Sequence, residues 1–261
     1  MSNPVFFTPA GYLDVVREGS LFVLDGAEAR HAVTVKRLSA GESVDIADGA
    51  GRRITGTVTK VAPAELTVEC SSVTVEDRPA VRLVLVQALA KGDRDELAIE
   101  TATELGIDAV VPWQSDRSIV RWKGERAAKA HGKWQSAVSA AAKQARRAWI
   151  PEVRAAVDTS GLAKKVADAA LAVILHEDAV RPLRGVLAEW HEAALQNAAL
   201  QSQEPCEVLL IVGPEGGISP REVTKLCSAG AVTALLGPHV LRSSTAGPAA
   251  VVVASDVLGR W

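Results

Sequence analysis

Between Glu76 and Ala80 the chain changes its hydrophobic rhythm, and that change restricts the folds open to it. Upstream lie short runs rich in β-branched residues: Leu21–Leu24, Ser43–Ala47, Arg53–Val61 and Glu65–Val75. Glycines 41, 49, 51 and 56 punctuate them. Asp48 and Gly49 predict a hairpin turn, and one short helix starting near Ala27 carries His31, Val35 and Leu38. Residues 1–75 therefore predict a small β-barrel. Downstream, in residues 76–261, apolar strands alternate with helices. Strands are predicted at Arg82–Ala90, Ala109–Trp113, Val153–Val157, Ala172–Leu175, Val208–Val212 and Ala231–Leu236. Helices are predicted at Asp93–Leu105, closed by Gly106, and from about Gly124 to Trp149. The polar stretch Gln196–Pro205 predicts a surface loop. Alternation of this kind predicts a buried, mostly parallel α/β sheet with flanking helices.

Composition narrows the function classes. Hydrophobic residues make up 48% of the 261 residues, enough for two modest cores. No apolar run reaches the roughly 18 residues that a bilayer span needs, and Met1–Ala10 lacks the basic start and long apolar stretch of a signal peptide. Cys70, Cys206 and Cys227 are too far apart for a zinc motif and odd in number for a disulfide framework, which predicts no metal and a reducing cytoplasm. The net charge of −2 excludes a protein that holds nucleic acid by bulk charge. Its distribution is uneven, however. Arg117, Arg121, Lys123, Arg126, Lys129, Lys133, Lys143, Arg146 and Arg147 are opposed only by Glu125 between Arg117 and Ile150. Such asymmetry is the footprint of a phosphate-binding face, but for a charge run alone a solvated helix surface is the favoured account.

Two motifs carry candidate chemistry. In the first, the apolar strand ending at Val212 runs into Gly213, Pro214, Glu215, Gly216 and Gly217, and a helix starts at once. Ser219 is the expected N-cap, Pro220 the first helical residue and Glu222 the capping-box partner. No Lys-Ser/Thr follows as in a P-loop, and the spacing is not that of a dinucleotide fingerprint. In the second, the strand ending near Leu236 enters Gly237, Pro238, His239, Val240, Leu241 and Arg242, and a small-residue helix over Ala249–Leu258 leaves it. Two such loops at neighbouring strand ends form the crevice in which α/β sheets bind ligands, and Arg242 there can hold an anion.

The two motifs, in this order and about twenty residues apart, resemble the 16S ribosomal RNA uracil-N3 methyltransferase family (RsmE type) of the SPOUT class. The resemblance extends over nearly the whole chain. His31, Val35 and Arg37 resemble an N-terminal H-x-x-x-V-x-R segment. Gln87, Lys91 and Arg94, followed by Thr103, Glu104, Leu105 and Gly106, resemble the family's first catalytic-domain strand and helix, and Arg117, Ser118, Gln144, Arg146, Arg147 and Pro151 also fit.

The resemblance implies a PUA-like first domain and a trefoil-knotted catalytic domain. S-adenosyl-L-methionine would be held by Leu175, His176 and Glu177, by Gly213, Pro214, Glu215, Gly216 and Gly217, and by Leu236, Gly237, Pro238, Val240 and Leu241. It also implies a homodimer, and 16S rRNA or the small ribosomal subunit as substrate. Three departures stand out. The chain has Pro4, Val5, Phe6 and Phe7 where the family commonly has an arginine before an aromatic. It has Arg242, Ser243, Ser244 and Thr245 where R-T-E-T is common, and His239 where an arginine is common.

Methyl transfer to uracil N3 needs an unpaired base and a partner for the anion that forms as N3 loses its proton. Arg242 is the expected partner, with Ser244 beside it and Glu215 as a further catalytic candidate. His31, Arg37, Lys91, Arg117, Arg146 and Arg147 are the expected RNA contacts. Two other readings compete. A SPOUT ribose 2′-O-methyltransferase would carry a Ser-Leu-Asn segment near the second loop, which is absent. A non-catalytic ribosome-assembly protein has no need of two intact glycine loops.

Overall fold

The computed structural model describes residues 3–196 and 206–261, so most of the expected loop from Gln196 to Pro205 lies outside the described residues. Two compact units divide the chain. One comprises residues 1–78 together with 142–150, the other 79–141 together with 151–261.

The first unit is a curled five-stranded sheet in the order β1 (Val5–Phe7), β3 (Ser43–Ala47), β4 (Arg52–Ala62), β5 (Glu65–Val75), β2 (Leu21–Asp25). Only β1 and β3 pair in parallel. A short helix α1 (Gly26–Arg30) widens into a π-type turn over His31–Val35, in which the Lys36 amide donates to the His31 carbonyl. Phe6, Leu13, Phe22, Ile46, Ile54 and Leu66 fill the core. Strand β1 escapes the sequence reading because three residues are too short to show a period. The β3–β4 connection is the expected hairpin, held by the Asp48 carboxylate, which accepts from the Ala50 and Arg52 amides.

The basic helix is shorter than its sequence period suggests. Helix α3 (Glu125–Gln144) stops where Arg146 enters the left-handed region with φ 55°. Tertiary pairing captures the remainder: the Gly51 amide donates to the Ala148 carbonyl, the Ile150 amide to Gly49, and the Trp149 indole to the Glu76 carbonyl. Residues 142–150 thereby belong to the first unit.

The second unit is an all-parallel sheet in the order β12 (Val232–Ala234), β10 (Leu171–Leu175), β11 (Cys206–Val212), β6 (Val81–Ala88), β7 (Ala109–Gln114), β8 (Glu152–Val153), with β9 (Val157–Asp158) also on β7. The single strand expected at Val153–Val157 is thus two short pieces. Helices cover both faces, as burial of parallel strands requires. Helix α4 (Thr159–Asp168) and helix α6 (Pro220–Ser228) pack over Val84, Val86, Trp113 and Ile211. Helices α2 (Arg94–Glu104) and α7 (Ser243–Val257) pack together on the other face, and α5 (Leu183–Gln196) lies against α7.

Helix α7 starts six residues earlier than expected, with Pro248 inside it. Gly247 permits this: a Cβ there would lie 3.0 Å from Leu85 Cδ1, so its absence lets the helix sit flush on β6. Among the described residues no helix is long and apolar enough to cross a membrane, and no group of three or more His, Cys, Asp or Glu side chains could hold a metal.

In the first unit, a Cβ on Gly56 would lie 2.4 Å from the Glu69 carbonyl across the β4–β5 ladder, where the register shifts. Gly56→Val is therefore expected to cost about 2 kcal/mol or more, read from the midpoint of a denaturant titration.

Candidate active site

The carboxyl ends of β10, β11 and β12 open onto a cavity of about 960 Å³. All thirteen residues expected to hold a cofactor line it: Leu175 to Glu177, Gly213 to Gly217, and Leu236, Gly237, Pro238, Val240 and Leu241. Arg242 and Arg117 also line it, whereas Ser244, on the first turn of α7, does not. Arg94, Ile218, Ser243 and Ala246 belong to the lining too, and the sequence did not single them out as lining residues. The early start of α7 is what brings Ser243 and Ala246 there.

Two of the first loop's three glycines are required by its geometry. Gly217 alone adopts a left-handed backbone, φ 72°. A Cβ on Gly213 would meet Ile218 Cγ1 at 2.6 Å, whereas a Cβ on Gly216 would make only an ordinary contact with the Arg117 stem, 3.4 Å from its Cβ. Helix α6 then begins with the expected capping box of Ser219 and Glu222 behind Pro220.

Glu222 is fully buried and ties this loop to the rest of the unit. Its Oε1 accepts from the Asp116 amide (2.8 Å) and the Thr159 hydroxyl (2.6 Å), and its Oε2 from the Ser219 amide (3.1 Å). The Trp113 indole donates to Thr159 in turn. Arg221 grips Asp116 with two nitrogens and holds that carboxyl below its ordinary range. The turn after β7 is thereby fixed, and Arg117 on it donates Nη1 to the Gly216 carbonyl at 2.8 Å.

Glu215, on the loop itself, accepts at Oε1 from Arg94 Nη1 (3.0 Å) and from the Lys91 amide (3.2 Å). Asp95 lies next to Arg94 and takes the Ala90 and Glu96 amides; burial pushes its carboxyl up. The second loop is pinned by paired backbone bonds, Leu183 amide to Leu235 carbonyl and Leu235 amide to Arg181 carbonyl, each 2.8 Å. Beyond Leu235, the amides of Leu236, Gly237, Val240 and Leu241 have no partner among the described residues.

The remaining expected RNA contacts fall in the first unit. Arg37 and Arg146 are exposed and both left-handed, at φ 56° and 55°. Arg147 and His31 are half-buried, the latter edge-on to Phe6. Part of the basic run is neutralised within each unit, since Lys133 pairs with Asp93 and Glu96 and Lys143 with Glu28.

A parallel α/β sheet with two glycine loops at its carboxyl edge, in a chain that also carries a curled β unit, defines a ligand-binding α/β class. A family described as RNA methyltransferase domain matches residues 77–255, and one described as RNA methyltransferase PUA domain matches residues 24–69. The chain belongs to this RNA methyltransferase family.

More particularly, it is similar to the ribosomal RNA small subunit methyltransferase E of Mycobacterium tuberculosis, 38% identical over 96% of this chain and 92% of the relative. The Bacillus subtilis protein of that name is 28% identical over 88% of each chain. Among solved structures, it is similar to the Neisseria gonorrhoeae ribosomal RNA small subunit methyltransferase E bound to S-adenosyl methionine. That match has a TM-score of 0.80 and 25% identity, covering 98% of each chain. A Legionella pneumophila protein in complex with bound SAM has a TM-score of 0.81 and 27% identity, again over 98% of each.

Removing the Glu222 carboxylate would leave the Asp116 amide and the buried Thr159 hydroxyl without their acceptor. Glu222→Ala is expected to destabilise the protein by about 3 kcal/mol or more, measured by chemical denaturation.

Proposed function

We propose that this protein transfers a methyl group from S-adenosyl-L-methionine to N3 of a uridine in the 16S rRNA of the small ribosomal subunit. The observation that carries this reading is the convergence of both glycine loops on one cavity, with Arg242 at its edge. The cavity fits the cofactor chemically. Its unpaired backbone amides suit an adenine edge, a ribose and an amino-acid group better than a lysine-lined phosphate site would. The thirteen lining residues named above would hold it. When bound, S-adenosylmethionine supplies a methyl group activated by its positively charged sulfur.

The chain's own residues then position the base and handle its charge. As N3 gives up its proton, negative charge develops on the neighbouring carbonyl oxygens. Arg242 stays cationic at working pH and can donate two parallel hydrogen bonds to that edge. Ser244, half-exposed two residues later and outside the cavity lining, is the proposed helper of Arg242. Glu215 holds the loop with Oε1 and keeps Oε2 to accept a hydrogen bond from the substrate.

RNA is guided by Lys91 and Arg117 beside the cavity and by His31, Arg37, Arg146 and Arg147 in the first unit. Two exposed arginines held in a cramped backbone region support that assignment. The reading includes a trefoil-knotted path through β10, β11 and β12, a homodimer, and action in the cytoplasm. Sheet order and the bonds pinning Leu235 to the segment before α5 support the knot, and exposed Val180 and Val240 support a second copy.

Mass spectrometry of 16S rRNA nucleosides from cells with and without the protein tests the reaction. Loss of one N3-methyluridine supports it, and an unchanged nucleoside profile overturns it. Gly217→Val forces a branched residue into a left-handed backbone, so cofactor affinity by calorimetry should fall at least about tenfold with the fold retained. Arg242→Ala should lower single-turnover methylation by on the order of 10²-fold, with cofactor affinity little changed. Arg242→Lys should recover only part of that rate, because it keeps the charge and loses the fork.

A further inference from the structure

Arg94 and Arg117 reach the first glycine loop from different elements, the start of α2 and the turn after β7, and each holds it with a single guanidinium nitrogen. Arg94 Nη1 donates to Glu215 and Arg117 Nη1 to the Gly216 carbonyl. A guanidinium carries five N–H groups. Nε and Nη2 of both arginines have no partner among the described residues, although both side chains line the cavity and reach solvent. Holding a loop needs one donor from each, so the remaining forks are free to bind something else. Exposed Lys91 adds a third positive charge, while Glu215 supplies one negative charge already engaged by Arg94. Glu177 and Asp178 also line the cavity, on the segment that follows β10.

We propose that Arg94 and Arg117 form a two-point clamp for a phosphodiester of the substrate RNA, and that the clamp couples RNA binding to cofactor binding. This rests on the methyltransferase reading above. Two planar forks around a tetrahedral anion make charge-assisted, directional bonds that ammonium groups would not reproduce. Coupling follows from the shared part. A phosphate held by Nε and Nη2 fixes each guanidinium, the fixed guanidiniums hold Glu215 and Gly216, and the loop that cradles the cofactor loses its freedom before the cofactor arrives. By linkage, the cofactor strengthens RNA binding by the same factor.

The test uses the full-length protein, small ribosomal subunits from cells lacking it, and S-adenosylhomocysteine, which occupies the cofactor site without reacting. For the wild type, S-adenosylhomocysteine is expected to tighten subunit binding about tenfold. Arg94→Ala and Arg117→Ala should each reduce that enhancement to less than about twofold, with circular dichroism confirming the fold. Arg94→Lys should keep the salt dependence of binding and still lose the enhancement, because the charge remains and the fork does not. Wild-type enhancement in both alanine variants would overturn the clamp, as would its absence from the wild type. Millimolar inorganic phosphate raising S-adenosylhomocysteine affinity as much as subunits do would overturn the assignment to RNA and give the site to free phosphate. If the wild type does not bind S-adenosylhomocysteine at all, the methyltransferase reading itself falls.

Discussion

A buried carboxylate organises the catalytic unit. Glu222 has no solvent exposure, and both of its oxygens accept hydrogen bonds: from the Asp116 amide and the Thr159 hydroxyl at one, and from the Ser219 amide at the other. An acidic group buried without such partners would carry a desolvation cost of several kcal/mol. Here it joins the start of α6, the turn after β7 and the start of α4, three points that are far apart in sequence. The glycine loop immediately before α6 therefore has one fixed end. Its other end leaves β11, the strand with buried neighbours on both sides, and so is equally fixed.

Between those ends the loop is built of small residues and could take many shapes. Its shape is decided by what grips it from outside. The Arg117 stem covers Gly216 and its Nη1 takes the Gly216 carbonyl, and Arg94 and Lys91 hold Glu215. Each grip comes from an element that the parallel sheet brings to its carboxyl edge. The second loop works differently, because paired backbone bonds at Leu235 anchor its start and the first turn of α7 anchors its end. The amides between them are left for a ligand. A cavity walled by one clamped loop and one donor-rich loop suits a cofactor that must be held by backbone shape and not by charge.

The sequence by itself determined the order of events along the chain. Period-two runs before Glu76 and alternating strands and helices after it are local properties, and they gave a β unit followed by a parallel α/β unit. The strand Ser43–Ala47 and the capping box at Ser219 and Glu222 were legible to the residue, because alternation and caps depend only on near neighbours. The residues expected around the cofactor were named from the resemblance, and two contiguous loops supply most of them.

What required the tertiary structure was anything decided by contact between distant segments. Arg146 turns out of the helical path, and residues 148–150 pair with the hairpin at Gly49–Gly51, so part of a helix that the sequence reads as continuous belongs to the first unit. Helix α7 runs through Gly247 and Pro248 because Gly247 fits flush against Leu85, a fact about β6 that no local pattern around Pro248 contains. Glu222 reads in sequence as a capping residue, and only folding makes it a buried junction. Arg94 reads in sequence only as part of a family-like segment, and only folding puts it beside Glu215, 121 residues away. Local pattern fixes which elements form, whereas burial, close backbone approach and charge pairing select among the ways those elements can meet.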